Sequence, residues 1–188
     1  MSCVGVLALQ GGFAPHVTAL RALGHDTMLV RTAAELARID GLVLPGGESS
    51  VMLRLLARES LDDALDTFVR SGRPVLATCA GLVLAARDVR SPAQPSFGWL
   101  DVGVERNGWG NQLESFEARS DDGRIALVLI RAPRIVEVGP RAQILATFRG
   151  EPVAVRERNV LGLTFHPELT PSTALHAFAF GRSRASAA

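Results

Sequence analysis

Two residues of this chain sit where side-chain chemistry is most exposed to a ligand: Cys79, in PVLATCAGLVLAAR (74–87), and His166, in LGLTFHPELT (161–170). Cys79 lies between an apolar strand-like run and an apolar helix-like run. Two readings of that stretch are equally good. A cysteine there is a small buried hydrophobe, or it is a nucleophile on a tight strand-to-helix turn, with a helix N-terminus favouring its thiolate. The neighbouring Ala80 and Gly81 let such a turn close, as in a nucleophile elbow. A nucleophilic cysteine needs a base. Of the four histidines, His16 and His176 fall on helix-like stretches and His25 in a turn, where a solvated or packed ring is expected. His166 follows a strand-like run and precedes Pro167 and Glu168. Residues two apart on extended backbone point to the same side, so Glu168 is expected to orient the His166 ring and stabilise its imidazolium. Alone, Glu168 reads as a surface carboxylate. Together, Cys79, His166 and Glu168 read as nucleophile, base and orienter of a hydrolytic triad.

These groups must be carried on strand ends. The first half of the chain alternates apolar strands and helices: strands at 4–9, 26–30, 41–44 and 74–78, helices at 15–24, 32–39, 50–59 and 60–72, and a helix from residue 80 to 87. Gly24 is the expected C-cap of the first helix, and Ser60 the N-cap of the fourth. Near-continuous apolar strands imply a parallel sheet buried on both faces, and ligands of such sheets bind beyond the carboxyl ends of the strands. The second half carries short strand-like segments (DVGVE, SFEAR, ALVLI, IVEV, QILATF, PVAVRE, LGLTF), read as antiparallel additions and a return to the central sheet, closed by a helix at 172–181. The expected fold is therefore α/β, three-layered and flavodoxin-like, with a mostly parallel central sheet, in one domain spanning 1–188. The stretch LPGGESS (44–50) follows the third strand. Its two glycines allow a turn with free amides aimed at a ligand, so Gly47 and Ala80 are candidates for an oxyanion hole. The competing reading is an ordinary turn with Ser50 capping the next helix. The stretch lacks the lysine and spacing of a phosphate-binding P-loop.

Composition excludes several function classes. The 188 residues are 47% hydrophobic and 21% charged, with net charge +1, as in ordinary globular proteins. No basic block suggests nucleic acid or a membrane surface as a partner, and no apolar run is long enough to span a bilayer. The N-terminus reads as a strand without the basic region of a signal peptide, so a cytoplasmic location is expected. Two cysteines, Cys3 and Cys79, are too few for a disulfide framework. Every Lys or Arg position is arginine, which removes lysine Schiff-base chemistry from this chain.

The quoted pieces resemble a known family. GVLALQGG (5–12), LPGGESS (44–50), TCAGL (78–82), ERNGWGNQ (105–112), SFE (115–117), IRAP (130–133) and FHPELT (165–170) resemble class I, triad-type glutamine amidotransferases. Among these they are most similar to glutaminase subunits of pyridoxal 5'-phosphate synthases. TCAG and HPE alone indicate only the superfamily, while LALQG, RNxxGxQ and FHPELT narrow it. The resemblance implies that Cys79 attacks the side-chain amide of L-glutamine, with His166 and Glu168 completing the triad. It also implies a glutamine pocket lined by Gly47, Glu48, Ser49, Arg106, Ile130 and Arg131. It implies no cofactor and no metal. By resemblance, the partner is a pyridoxal 5'-phosphate synthase subunit in a large heteromeric complex. That subunit supplies the lysine chemistry and receives channelled ammonia to build the cofactor from a pentose phosphate and a triose phosphate. Gln10 and Gly11 are implied to lie on the docking face and to help complete the oxyanion hole.

Read from the residues alone, Arg106 fits a surface ion pair better than a substrate clamp. Three positions depart from the family pattern: Ala77 where glycine is usual, Ser50 where threonine is usual, and Asn111 where many members carry arginine. Three other readings compete. One is another amidotransferase glutaminase, such as that feeding imidazole glycerol phosphate synthesis, which would keep the triad without LALQG and RNxxGxQ. Another is a non-enzymatic redox sensor or chaperone with an elbow cysteine, which has no need of His-x-Glu after a later strand. The third is a flavodoxin-like or receiver-like binding module; a receiver would need acidic strand ends, where this chain has Gln10 and Pro45.

Overall fold

The computed structural model describes residues 2–109 and 115–181. Its centre is a seven-stranded sheet. Strands β1 (Cys3–Leu7), β2 (Asp26–Val30), β3 (Gly41–Leu44), β4 (Val75–Thr78) and β12 (Val160–Leu163) run parallel. Strands β11 (Glu151–Glu157) and β10 (Gln143–Phe148) add through antiparallel pairing at one edge, which gives the order β10-β11-β12-β4-β3-β1-β2. β3, β4 and β12 are buried at every residue, which is why they read as continuous apolar runs rather than alternating ones.

Alternate side chains of these strands enter two cores. Leu42, Leu44, Val75 and Ala77 face one, while Val43, Leu76, Leu161 and Leu163 face the other. The first core is covered by α3 (Ser49–Arg58), α4 (Asp62–Arg70) and α5 (Ala80–Ala85), through Met52, Leu56, Leu65, Phe68 and Leu82. The spacing of Met52 and Leu56, and of Leu65, Phe68 and Val69, puts each set on one helical face. Each such buried side chain contributes about 1.5–3 kcal/mol. The second core is covered by α1 (Phe13–Ala22) and α6 (Ala174–Phe180), through Leu20, Leu175 and Phe180. This is the expected three-layer α/β arrangement. A three-stranded sheet of β5 (Ala86–Arg90), β6 (Leu100–Glu105) and β9 (Arg134–Val138) packs on the first side. A hairpin of β7 (Phe116–Arg119) and β8 (Ala126–Leu129) packs on the second. Among the described residues no helix is long and apolar enough to cross a membrane.

Local differences from the sequence reading have local causes. Helix α2 (Ala33–Leu36) is four residues long, not eight. Thr32 and Glu35 form a capping box at its start, and the chain then turns into β3, with Asp40 N–H donating to the Cys3 carbonyl. Ser60 does not cap α4: it adopts a left-handed turn (φ 52), and Leu61 takes the N-cap position without a side-chain bond. Ser50 does not cap α3 either. The helix begins one residue earlier, after Glu48, and the Ser50 hydroxyl donates to the Glu48 carboxylate at 3.2 Å. The helix expected over 80–87 stops at Ala85, because the chain from Ala86 onward forms β5, which pairs with β6.

Candidate active site

Parallel pairing sets the site. Thr78 lies opposite Leu163, and Ala77 opposite Leu44. Cys79, His166 and the Pro45–Gly47 turn therefore leave three adjacent strands at the same carboxyl end. Cys79 is the N-cap of α5 with φ 47 and ψ −104, its N–H donating to the Leu163 carbonyl at 2.9 Å. A non-glycine residue there is strained. In this conformation Cys79 lines a cavity, with its thiol 3.8 Å from the Ile130 carbonyl. Gly81 lets α5 approach so closely, because any Cβ there would overlap the Leu44 carbonyl.

His166 is held by its N–H bond to the Val128 carbonyl, 2.9 Å. Its ring lies against Gly46, where a Cβ would collide with the imidazole. Glu168 is brought to it by a single 3-10 turn over Pro167–Leu169, not by the extended backbone expected from the sequence. Pro167, with fixed φ, opens that turn. The result is a 2.7 Å contact between His166 Nδ1 and Glu168 Oε1. A carboxylate only accepts, so Nδ1 carries the hydrogen, and Nε2 is left for Cys79. The Glu168 side chain is 2% exposed. Burial pushes its carboxyl up, but the His16 ring beside it and the bonded His166 ring outweigh this and hold it at about 2. For His166, burial pulls the ring down, yet Cys79 and Glu168 together raise it to about 10.

The cavity between these elements measures about 210 Å3 and is lined by Gly47, Glu48, Ser49, Cys79, Ala80, Arg106, Ile130, Arg131 and His166. Glu48 is its electrostatic centre. Arg106 Nη2 donates to Oε1 at 2.7 Å, and Arg131 Nη2 stands 3.6 Å from Oε2. Arg106, only 16% exposed, is thus an ion-pair partner inside the pocket, not on the surface. The hydroxyl of Ser49 is engaged elsewhere, donating to Gln94 Oε1 at 3.0 Å. Gln10 Oε1 accepts from the Glu48 N–H at 2.9 Å, and the Gly46 carbonyl accepts from Gly12 N–H at 3.0 Å. The loop holding Gln10 and Gly11 is therefore stitched to the Gly46–Glu48 turn. Gly12, Gly46, Val83, Asn107 and Pro133 also line the cavity. None of the five was singled out from the sequence, although all of them fall inside the stretches quoted above. Ala77 is fully buried in β4. Asn111 and the end of ERNGWGNQ lie outside the described residues. No sequence signal pointed to His16 and His176, which stand behind Glu168.

Solved structures place this architecture. The chain superposes on a glutamine amidotransferase from Thermotoga maritima with TM-score 0.61 at 14% identity, covering 94% of this chain and 81% of that one. At that identity the match fixes the fold alone, that of the glutamine amidotransferases. A second crystal structure of a glutamine amidotransferase matches with TM-score 0.87 at 39% identity, over 94% of this chain and 96% of that one. Residues 6–182 match the SNO glutamine amidotransferase family, and the chain belongs to it. Its relatives include the pyridoxal 5'-phosphate synthase subunit PdxT of Thermotoga maritima, 44% identical over 180 residues (93% of this chain, 96% of that protein). PdxT of Cutibacterium acnes is 48% identical over 187 residues, with 92% of each chain covered.

Proposed function

We propose that the chain, as one domain over 1–188, hydrolyses L-glutamine to L-glutamate and ammonia in the cytoplasm, as the glutaminase subunit of a pyridoxal 5'-phosphate synthase. The observation that carries the reading is the strained Cys79 beside a His166 whose Nδ1 is bound to buried Glu168 at the ends of adjacent parallel strands. The Cys79 thiolate attacks the side-chain amide carbon. The developing oxyanion is met by the N–H of Ala80, which has no intrahelical acceptor as the first residue of α5, and by that of Gly47. His166 imidazolium protonates the leaving nitrogen, the C–N bond breaks, and ammonia departs from a thioester. Neutral His166 then takes a proton from water, whose oxygen attacks the thioester. Glutamate leaves, and the His166 proton and the Cys79 thiolate are restored. Glu48 suits the substrate ammonium and Arg106 its α-carboxylate. Gly47, Ser49, Ile130 and Arg131 complete the pocket.

The relatives' designation as synthase subunits supports a heteromeric partner that receives the ammonia. The chain has no lysine, so carbonyl chemistry through a Schiff base must reside in that partner. Gln10 and Gly11, packed on the Gly46–Glu48 turn, are the candidates to transmit docking to the site. The test is glutamate release from glutamine by the purified chain, alone and with the synthase subunit added. We expect strong stimulation, abolished in Cys79→Ala. Turnover without stimulation would discard the partner and keep the hydrolase. No turnover under either condition would discard both.

A further inference from the structure

Behind the triad lies a buried line of polar groups that the reaction above does not use. Glu168 has two carboxylate oxygens, and His166 takes only Oε1. Oε2 is buried and makes no hydrogen bond among the described residues. The ring that approaches it is His16 of α1, whose Nε2 stands at 3.4 Å. The other nitrogen of that ring, Nδ1, is 2.9 Å from Nε2 of His176 on α6. Both rings are fully buried. The two helices are far apart in sequence, His16 and His176 being separated by 160 positions. They meet only because both cover the same face of the sheet. A further polar neighbour is the Thr78 hydroxyl, 3.4 Å from His16 Nε2 and one residue before Cys79.

Hydrogen-bond logic orders this line in one direction. A carboxylate accepts only, so a hydrogen between His16 and Oε2 must sit on His16 Nε2, with the Thr78 oxygen then an acceptor there as well. His176 Nδ1 has no partner among the described residues, and a buried orphan N–H is rarer than an orphan acceptor. His176 therefore carries its hydrogen on Nε2 and donates to His16 Nδ1. The low basicity of His176, pulled by burial and then by His16 to about 4, keeps it a single-hydrogen ring at neutral pH. Each group thus fixes the tautomer of the next, ending at His166 Nε2, which is left free for Cys79.

We propose that His16 is a positioning residue of this hydrolase: it holds the outer oxygen of Glu168, with His176 setting its tautomer, and so keeps the His166 ring aimed at Cys79. The inference rests on the glutaminase reading. At 3.4 Å the outer contact is weaker than the 2.7 Å inner one. The expected effect is accordingly at the low end of what is lost with such supporting partners, about tenfold.

The test joins two readouts. In the 15N NMR spectrum of the histidine rings of the free chain, His16 is expected to be protonated on Nε2 and bare on Nδ1. A hydrogen on Nδ1 instead overturns the proposal. In glutamine turnover with the synthase subunit present, His16→Leu is expected to lower kcat about tenfold at unchanged KM. His16→Gln, whose amide can donate from nearly the place of Nε2, should recover most of that loss. His176→Leu should cost nothing further in the His16→Leu background, because it acts through His16. Wild-type kcat in His16→Leu overturns the proposal. So does a His16→Gln chain as slow as His16→Leu with the same loss of melting temperature, which would make the role merely structural. Absence of turnover in the wild-type complex would be a failure of the glutaminase reading, and the NMR tautomer would still decide the His16–Glu168 bond.

Discussion

At the scale of single residues, the cysteine backbone is the most informative feature of the site. Cys79 at φ 47 and ψ −104 is where a glycine would be relaxed, and a side chain held there costs about 1–3 kcal/mol. Glycine gives back about 0.4–1 kcal/mol through the greater freedom of the unfolded chain. The strain is the larger quantity, so Cys79→Gly is expected to be more stable than Cys79→Ala, with both inactive. Urea midpoints of the two variants check this, and equal midpoints would mean that the elbow stores no strain. The pairing of Arg106 with Glu48 is equally instructive. Opposite charges were legible in the sequence as separate residues, but nothing between LPGGESS and ERNGWGNQ says that they meet across 58 positions.

At the scale of elements, the site depends on how closely α5 can approach β3. Gly81 sits against the Leu44 carbonyl, with no room for a Cβ. Gly81→Ala must therefore push α5 away from the strand ends. Overpacking of this kind costs about 1–3 kcal/mol. Because the shifted helix carries Ala80 and follows Cys79, kcat should fall by much more than stability alone would produce. A Gly81→Ala chain with wild-type glutamine turnover would show that the elbow tolerates movement of its helix. The short connecting pieces were the least legible elements. α2 is cut to four residues by the turn into β3, and Ala86 and Arg87 leave the helix for β5 because a neighbouring strand, β6, is there to pair with β5. That neighbour comes later in the chain, and local pattern cannot foresee it.

At the scale of the whole molecule, the buried histidines should shape stability against pH. His176 is held down at about 4, against a usual 6.5, by burial and then by His16. The unfolded chain thus binds its proton first, and stability is lost as pH falls from 6.5 toward 4. His166 is raised to about 10, burial notwithstanding, by Cys79 and Glu168. Its contribution is complete below 6.5 and is lost as pH rises through 10. Glu168, held at about 2 against burial by His16 and His166, adds a further loss between 4.5 and 2. Maximum stability is expected near pH 6.5. Denaturant midpoints across pH should show His176→Leu flattening the limb from 6.5 to 4, and His166→Ala flattening the limb from 6.5 to 10. A profile of wild-type shape in both variants would remove these rings from the pH dependence.

The order of residues along the chain carries the layered α/β fold and the candidate reactive groups. Buried parallel strands must be apolar throughout, and GLVL and DTMLV are strands at the positions where they read as strands. The Cys79 turn and the His-Pro-Glu stretch are local chemistry, legible because each is contiguous. The tertiary structure decided what joins them. Strand register brings Cys79 beside His166, a 3-10 turn rather than extended chain delivers Glu168, and the common covering of one sheet face by α1 and α6 puts His16 and His176 behind it. The physical reason is the same in each case. Local pattern fixes which face of an element is buried, while contacts between distant elements follow only from how those faces pack.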